Sequence, residues 1–393
     1  MLVKTQVGIV GAGPAGLLLG RILQHHGIDA VVLERRSRDY ILSRIRAGVL
    51  EQGTVDTLRE FGANERLDRE GIPHQDMKLF WGGVRHAVPM IGKGGRRLTT
   101  YGQNKIVEDL VTLRENDGLP LVFEAEVEAI EDIEGSPVIH YVKDGERHEL
   151  QCDFVAGCDG FLGASRKHMP DADAHSFEKV FPFSWFGILA EAKTSTETRG
   201  FGHSERGLAV SSSRGPDISR LYLQVAPDFD MNSMTDEKIW DELSLRLANQ
   251  YGKTLNRGPI IDKAVVRLRG FICEKMVHGR LALAGDACHT VPPSGAKGLN
   301  LAVGDVRLLS EAIVALLNQN DRSKLDRYTE LALRRIWPTV HWSCVMSEAF
   351  HIFPGQTPFD TRRQYQVLNN WAYDEAGQEV FRESMLGRPF PQY

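Results

Sequence analysis

A glycine-rich turn near the N terminus, Gly11–Gly16 with the sequence GAGPAG, constrains the fold of this chain more than any other feature. It follows a short apolar run, Val7–Val10, and opens a leucine-rich segment, Pro14–Gln24, that is typical of a helix. A second apolar run, Ala30–Leu33, then closes on Glu34. In such a unit the glycines allow a tight turn, the approach of a pyrophosphate and close helix packing, and the terminal acid accepts from ribose hydroxyls. The pattern predicts a Rossmann-type dinucleotide site, although a glycine-rich turn alone can serve packing, and this one does not say which dinucleotide is bound.

Two later motifs favour FAD as the dinucleotide. Asp159 and Asp286 each follow a predicted strand, and a glycine- and proline-rich loop then leads into a helix near Leu299 and Asn300. Asp286 can accept from a ribityl hydroxyl, and the N–H groups that open this helix can stabilise negative charge on the flavin N1–C2–O2 edge. Either motif alone is compatible with an ordinary turn at a strand end. Their order downstream of the first glycine motif predicts a flavin site.

The composition is that of an ordinary globular protein, with 42% hydrophobic and 25% charged residues. A formal net charge of -5 gives no electrostatic reason to expect nucleic acid or an anionic membrane as a partner. The five cysteines form no CxxC pair, so we predict neither a disulfide framework nor a metal site. The N terminus lacks a signal-peptide pattern and its apolar run ends too soon for a membrane span, so we expect a cytoplasmic protein.

A length of 393 residues suggests two domains. The fold class we expect is α/β, with a Rossmann-type FAD-binding domain interrupted by an antiparallel β-rich substrate domain and followed by a helical region. The boundaries predicted from the change in residue pattern are 1–175 for the first part of the FAD-binding domain, 176–265 for the substrate domain, and 266–393 for the second part with the C-terminal helices. Within that last region, Pro338 is expected to kink or break a helix.

A predicted β-hairpin over residues 208–225 alternates apolar and polar side chains, which would place Ser212, Arg214 and Tyr222 on one face. We expect Arg214 to pair with Arg220 across the hairpin and Ser212 to lie opposite Tyr222. Facing arginines are unfavourable without an anion nearby, and a planar guanidinium flanked by hydroxyls suits a carboxylate. A solvent-facing sheet surface is the alternative interpretation.

These motifs together resemble those of group A flavoprotein aromatic hydroxylases. The segments RIRAGVLEQG, beginning at Arg44, and AGDACHTVPPSGAKGLN, ending at Asn300, are similar to the para-hydroxybenzoate hydroxylase family in particular. The resemblance extends from Thr5 to the C terminus. It implies noncovalent FAD, NADPH or NADH as reductant, dioxygen, a small aromatic carboxylic acid as substrate, and a homodimer.

The resemblance also assigns roles to individual positions. Substrate-binding positions are Ser212, Arg214, Tyr222 and Pro293. Pro293 is also a catalytic position, through its carbonyl at the far end of the ring. Cofactor-binding positions, from the motifs and the resemblance together, are Gly11, Gly13, Ala15, Gly16, Glu34, Arg44, Arg46, Gln103, Asp159, Asp286, Leu299 and Asn300. Coenzyme positions are Arg35, Arg36, Tyr40, Arg44 and Arg269, whereas Leu162 stands where the family often has a histidine.

The chain departs from the family pattern at two catalytic positions, Phe201 and Met385. The family has tyrosines there, which hydrogen-bond the para oxygen of the substrate and relay its proton, and neither phenylalanine nor methionine can relay a proton. Either a group such as His203 or an ordered water replaces the relay, or the substrate carries a para substituent that needs no deprotonation, such as an amine.

Three functions are therefore considered. The first is a 4-hydroxybenzoate 3-monooxygenase, which hydroxylates a para-substituted benzoate ortho to its donor group. The second is a 4-aminobenzoate or other benzoate hydroxylase. The third is a non-catalytic flavin-binding protein that has lost the relay, and the intact loop Pro292–Asn300 argues against it.

Overall fold

The computed structural model describes residues 2–43, 48–193, 199–214, 217–247 and 255–393, with the side chains of residues 2 and 3 left aside. The strands are β1 Leu2–Val10, β2 Ala30–Glu34, β3 Val49–Leu50, β4 Ile72–Pro73, β5 Asp76–Trp81, β6 Val84–Pro89, β7 Thr99–Thr100, β8 Leu121–Phe123, β9 Glu126–Glu131, β10 Val138–Lys143, β11 Glu146–Gly157, β12 Ser176–Ala190, β13 Arg199–Gly202, β14 Ala209–Ser213, β15 Ser219–Val225, β16 Ile260–Cys273, β17 Val277–His278, β18 Leu281–Leu283 and β19 His289–Thr290. The α-helices are α1 Pro14–His25, α2 Arg38–Ser43, α3 Gln52–Glu60, α4 Glu65–Glu70, α5 Gln103–Asn116, α6 Asp236–Arg246, α7 Gly298–Gln319, α8 Ser323–Phe350, α9 Pro358–Tyr373 and α10 Glu375–Leu386.

A largely parallel sheet carries the glycine-rich turn. Its described strands run in the order β17-β18-β11-β1-β2-β8, and β1 lies parallel to both β11 and β2. The apolar side chains of β1, such as Val7 and Ile9, are fully buried and pack with leucines of α1 and α7. The carboxyl ends of β1, β2, β11 and β18 therefore meet at one edge of the sheet, as the predicted Rossmann-type fold requires.

The second sheet is mainly antiparallel, with described strands in the order β19-β16-β12-β15-β14-β13-β5-β6. One face packs against α8, α9 and α10 through a buried aromatic cluster that includes Trp185, Phe201, Trp342 and Phe381. The mixed α/β class and the interrupting β-rich unit are thus confirmed. The sheet also takes strands from residues 76–89, and β16 crosses the expected boundary at 265/266, so the domain limits remain predictions.

The predicted register of the central hairpin is wrong by two residues. Ser212 pairs with Arg220 and Val210 pairs with Tyr222, instead of Arg214 with Arg220. The reason lies in the turn, where the Arg214 amide donates to the Ile218 carbonyl at 2.8 Å, so Arg214 falls just beyond the last pair of β14 and β15. Because the shift is an even number, Ser212, Arg220 and Tyr222 still share one face.

Helix α8 continues through Pro338, so of the two predicted effects, a kink or a break, the break does not occur. A proline removes one backbone hydrogen bond and crowds the preceding turn. Buried residues on both sides of it, including Ile336 and Val340, hold the helix against the core, and tertiary packing outweighs the local cost. In the described part of the chain, no helix is both long enough and apolar enough to cross a bilayer.

Candidate active site

The three glycines of the N-terminal motif have different surroundings. Gly11 adopts φ +103°, and a Cβ on it would lie 2.5 Å from the Cys158 carbonyl oxygen. A Cβ on Gly16 would lie 2.0 Å from the Gly11 carbonyl oxygen, so Gly16 allows α1 to approach β1. A Cβ on Gly13 meets no atom within 4 Å, and no side chain caps the N terminus of α1. This open space beside uncapped N–H groups fits a pyrophosphate, with Ala15 buried in the first turn behind it.

Glu34 ends β2 beside the glycine turn, as predicted for the ribose-binding acid. Its Oε2 accepts from the Ala12 amide at 2.9 Å, and its Oε1 accepts from the Arg36 amide at 2.8 Å. The carboxylate is therefore held against the turn by backbone donors, in the position where it can also accept from a ribose. The adjacent Arg35, Arg36 and Tyr40 are exposed, and the Arg36 guanidinium carbon lies 5.2 Å from the centre of the Tyr40 ring.

Asp159 shapes the turn after β11. One oxygen, Oδ2, accepts from the Ser165 amide at 2.9 Å and from its hydroxyl at 3.0 Å. The other, Oδ1, is buried without a hydrogen-bond partner in the described residues. Burial raises the pKa of this carboxyl, and the Ser165 hydrogen bonds oppose that rise. Asp159 thus organises the turn first, and one oxygen remains for a further donor.

The third motif brings Asp286 to the N terminus of α7. A Cβ on Gly298 would lie 3.9 Å from Asp286 Oδ1, and no side chain caps α7. Leu299 is half-buried at the second helical position, and the Asn300 side chain accepts from the Glu51 amide and donates to the Val49 carbonyl at 2.8 and 2.9 Å. The helix N terminus is therefore fixed beside the acid, as the flavin prediction requires.

Other predicted cofactor positions lie around these motifs. Gln103 is half-buried at the start of α5. Arg44 and Arg46 lie outside the described residues. Arg269, on β16, pairs with Glu178 at 2.9 Å, and its guanidinium carbon lies 4.6 Å from the centre of the Phe161 ring. The assignment of Arg269 to the coenzyme therefore requires it to exchange or share that acidic partner.

A buried charged network, which the sequence analysis did not single out, holds the flavin-side loop. Lys297 Nζ donates to Glu51 Oε1 at 2.7 Å and to the Met385 carbonyl at 2.6 Å. Arg335 donates to the second Glu51 oxygen at 2.5 Å and to the Asn300 carbonyl at 2.8 Å. Burial lowers the pKa of Lys297, and Glu51 opposes that shift. Through Lys297 and Arg335, the Glu51 carboxylate thus links the start of α7, helix α8 and the backbone at Met385.

A second charged cluster, Cys288, His289 and Asp305, has donor atoms close enough to hold a metal ion. Asp305 Oδ2 lies 2.6 Å from His289 Nε2 and accepts from the Gly285 amide at 2.9 Å. Burial would lower the pKa of His289, but Asp305 reverses this and raises it. Asp305 therefore links His289 to the backbone of the turn at Gly285.

The predicted carboxylate site is assembled around Arg214. Its Nη1 donates to the Ser212 hydroxyl at 3.0 Å and to the Ser213 carbonyl at 2.8 Å, while its Nε is buried without a partner in the described chain. Burial lowers the pKa of Arg214, whereas Tyr222 raises it. Arg214 also lines a cavity of about 370 Å³ together with Thr100, Tyr101 and Gly102. Glu70 and Lys105 also line this cavity, whereas Ser212 and Tyr222 do not.

Arg199 lies beside this site and was missed by the sequence analysis. It begins β13 and pairs with Ser212 across the strands, with its side chain buried. Its guanidinium carbon lies 4.6 Å from the centre of the Phe201 ring, and its Nη2 is 3.5 Å from the Ser294 carbonyl oxygen. The sequence did contain a signal for Arg199, which lies two positions before Phe201, a predicted site position. Alternate residues of a strand share a face, so Arg199 could be expected on the same side as Phe201.

Apolar and aromatic groups surround the remaining predicted substrate and relay positions. Phe201 and Met385 are fully buried in one cluster, and the Met385 sulfur lies 3.3 Å from Trp342 Nε1. The Trp185 ring packs 4.7 Å from Tyr222, centre to centre. The Pro293 carbonyl accepts from the Ala296 amide at 3.1 Å. Neither Phe201 nor Met385 carries a group that could move a proton.

His203 is buried, contrary to the surface position usual for a loop histidine. Its Nε2 lies 2.9 Å from Gln364 Oε1, and its ring contacts Tyr365 edge-on at 5.3 Å. Burial lowers its pKa, so the ring is neutral at neutral pH. These contacts direct His203 to α9. A role as a replacement relay therefore has no contact in its favour.

Residues 4–343 of the chain match a family model described as FAD binding domain. The chain is 38% identical over 388 residues to the p-hydroxybenzoate hydroxylase of Acinetobacter baylyi, covering 98% of this chain and 96% of that protein. It is 27% identical over 335 residues to a 3-(3-hydroxy-phenyl)propionate/3-hydroxycinnamic acid hydroxylase of Mycolicibacterium vanbaalenii, covering 82% of this chain but 56% of that longer protein.

Among solved structures, the p-nitrophenol 4-monooxygenase of Pseudomonas putida aligns with a TM-score of 0.84 and covers 99% of both chains. At 19% identity this similarity concerns the fold alone. The family match and the 38% identical relative, by contrast, extend over most of the sequence. This protein therefore belongs to the FAD-binding-domain family of group A flavin-dependent aromatic hydroxylases.

Proposed function

We propose that this enzyme is a 4-hydroxybenzoate 3-monooxygenase that uses NADPH and dioxygen. The observation that carries the proposal is the half-buried Arg214, whose guanidinium borders Ser212, Tyr222 and a cavity and has no carboxylate within ion-pair distance among the described residues. A guanidinium with a buried, unused donor suits an anionic partner, and a benzoate carboxylate can accept its remaining hydrogen bonds. The p-hydroxybenzoate hydroxylase of Acinetobacter baylyi supports this substrate class.

In this proposal the protein's residues hold and orient the aromatic acid. Arg214 and the hydroxyls of Ser212 and Tyr222 bind the carboxylate, while Trp185 and Phe201 line the ring and exclude water. Bound FAD supplies the activated oxygen after reduction by NADPH. The glycine turn, Glu34, Asp286 and the N terminus of α7 hold the cofactor.

The coenzyme preference is proposed to reside in Arg35 and Arg36. Both are exposed beside the ribose-binding Glu34, where two guanidinium groups suit the 2′-phosphate that distinguishes NADPH from NADH. We also propose a cytoplasmic homodimer, which the sequence resemblance supports. All five cysteines are free thiols, consistent with a reducing compartment.

A second candidate is 4-aminobenzoate hydroxylation, favoured by the absence of a hydroxyl at both Phe201 and Met385. An aniline donates its nitrogen lone pair without losing a proton. The distinguishing experiment measures NADPH and NADH consumption and hydroxylated product with 4-hydroxybenzoate, 4-aminobenzoate and benzoate. The proposal requires NADPH-dependent product from 4-hydroxybenzoate, and product from the amine alone would replace it with the second candidate.

A further inference from the structure

Arg199 is a buried cation beside the proposed carboxylate site that this site does not use. Its Nη1 has no hydrogen-bond partner among the described residues, and its Nη2 has one distant contact, 3.5 Å from the Ser294 carbonyl oxygen. Burial first, and then the charge of Arg214, lowers its pKa to about 10. The side chain is therefore still positively charged at neutral pH.

Arg199 and Arg214 both lie beside Ser212, Arg199 as its partner across the strands and Arg214 through a hydrogen bond, but they contact different groups. Arg214 donates to Ser212 and Ser213 beyond the end of β14, whereas Arg199 lies over Phe201 and reaches toward Ser294. Burial first lowers the pKa of His74, Arg199 and then Arg214 lower it further, and Asp76 opposes them, so both arginines act on His74.

The neighbouring Arg220 provides a contrast, because its charge is paired with Asp262 at 3.3 Å. Within the described chain, neither Arg199 nor Arg214 has a carboxylate within the 4.0 Å that defines an ion pair. A buried charge and a half-buried charge of the same sign, neither paired with a carboxylate, are costly to the folded state. A single carboxylate on Arg214 offsets only one of them.

We propose that Arg199 binds a second anionic oxygen of the substrate, so that the pocket selects aromatic acids with two anionic groups. The inference rests on the proposed function, since it places the substrate carboxylate on Arg214. The second oxygen is either a phenolate, as in ionised 4-hydroxybenzoate, or a second carboxylate. A neutral amine cannot supply it.

For a phenol, this arrangement replaces a proton relay by electrostatics. The phenol O–H bond breaks, its electron pair stays on oxygen, and the proton leaves to bulk water as the substrate binds. A nearby positive charge favours the ionised form and lowers its pKa. The pocket then needs no hydroxyl at Phe201 or Met385, and the ring enters already electron-rich.

The test uses FAD-loaded enzyme and the variants Arg199→Met and Arg199→Lys, with Arg220→Lys as a control at the adjacent, ion-paired arginine. Ultraviolet difference spectra across pH give the pKa of bound 4-hydroxybenzoate. Binding titrations compare benzoate with 1,4-benzenedicarboxylate.

We expect the phenol pKa to fall by about 1–3 on binding to the wild type, the range produced by an adjacent opposite charge. Arg199→Met should abolish that fall and weaken dicarboxylate binding at least roughly tenfold, the effect of losing one charge-assisted contact. Benzoate binding should change little, and Arg199→Lys should restore part of the shift. If only the pKa of the bound phenol depends on Arg199, the second anionic group is a phenolate. If only the affinity for the dicarboxylate depends on Arg199, the second group is a carboxylate.

The inference is overturned if the wild type binds benzoate while the bound phenol pKa is not lowered and the dicarboxylate shows no dependence on Arg199. The wild type alone also tests the inference, in case Arg199→Met does not fold. The inference is contradicted if the wild type does not lower the pKa of the bound phenol and does not prefer the dicarboxylate over benzoate. Failure of all three acids to bind would instead remove the proposed function, and this inference with it.

Discussion

Gly13 is a residue at which a substitution should affect FAD binding without affecting folding. Its backbone has φ -71° and ψ 177°, which any residue can adopt, and a Cβ there meets only open space. We predict that Gly13→Val folds with little change in melting temperature but does not retain FAD, because the side chain fills the pyrophosphate space. Absorbance of bound flavin and thermal unfolding measure the two effects. A yellow variant with normal FAD content would contradict the assignment.

Arg214 tests the carboxylate site at the same scale. Replacing it with lysine keeps the charge but loses the planar fork, and we predict benzoate binding weaker by about 1.5–3 kcal/mol. Arg220→Lys is the matched control, because that arginine is already paired with Asp262. Equal affinity of wild type and Arg214→Lys for benzoates, measured by titration, would show that the carboxylate binds elsewhere.

The sequence predicted the placement of residues whose proposed role depends on their neighbours along the chain. The three glycines and Glu34 lie within one βαβ unit, and their positions were predictable from spacing alone. Arg199 was missed because its significance depends on pairing with β14 and on the Ser294 carbonyl. The Ser294 contact joins positions 95 residues apart, and the only local signal for it was the position of Arg199 two residues before Phe201.

At the scale of elements, Glu51 joins the start of α3 to α7 and α8 through Lys297 and Arg335. Glu51→Gln would leave two buried cations without a carboxylate, and we predict a loss of about 3–5 kcal/mol in the free energy of unfolding. Glu60→Gln, which removes only the surface pair with Arg307, should cost at most about 1 kcal/mol. Chemical denaturation of both variants checks this, and equal losses would refute it.

The hairpin and α8 show why element boundaries were harder to predict than element types. Alternation correctly placed Ser212 and Tyr222 on one face, but the register depends on where the turn closes. That closure is the Arg214 to Ile218 hydrogen bond. Similarly, Pro338 is a local signal for a break that buried packing on both sides of the helix overrides.

At the scale of the whole molecule, two sheets bring the proposed flavin site and the proposed aromatic-acid site to the same loop. Residues Pro293 to Asn300 border the uncapped start of α7 on one side and, through Ser294, Arg199 on the other. The division into nucleotide and substrate sheets was predictable from the change in residue pattern. The participation of β5 and β6 was not, because those strands lie far upstream of the pattern change.

The proposed monooxygenase activity is tested most directly by supplying the FAD-loaded enzyme with 4-hydroxybenzoate, NADPH and ¹⁸O-labelled dioxygen. Mass spectrometry then follows the label in the aromatic product. We predict that the product is 3,4-dihydroxybenzoate carrying one ¹⁸O atom and that it forms only when NADPH is present. NADPH oxidation without a hydroxylated product, or a product whose new oxygen comes from water, would contradict it.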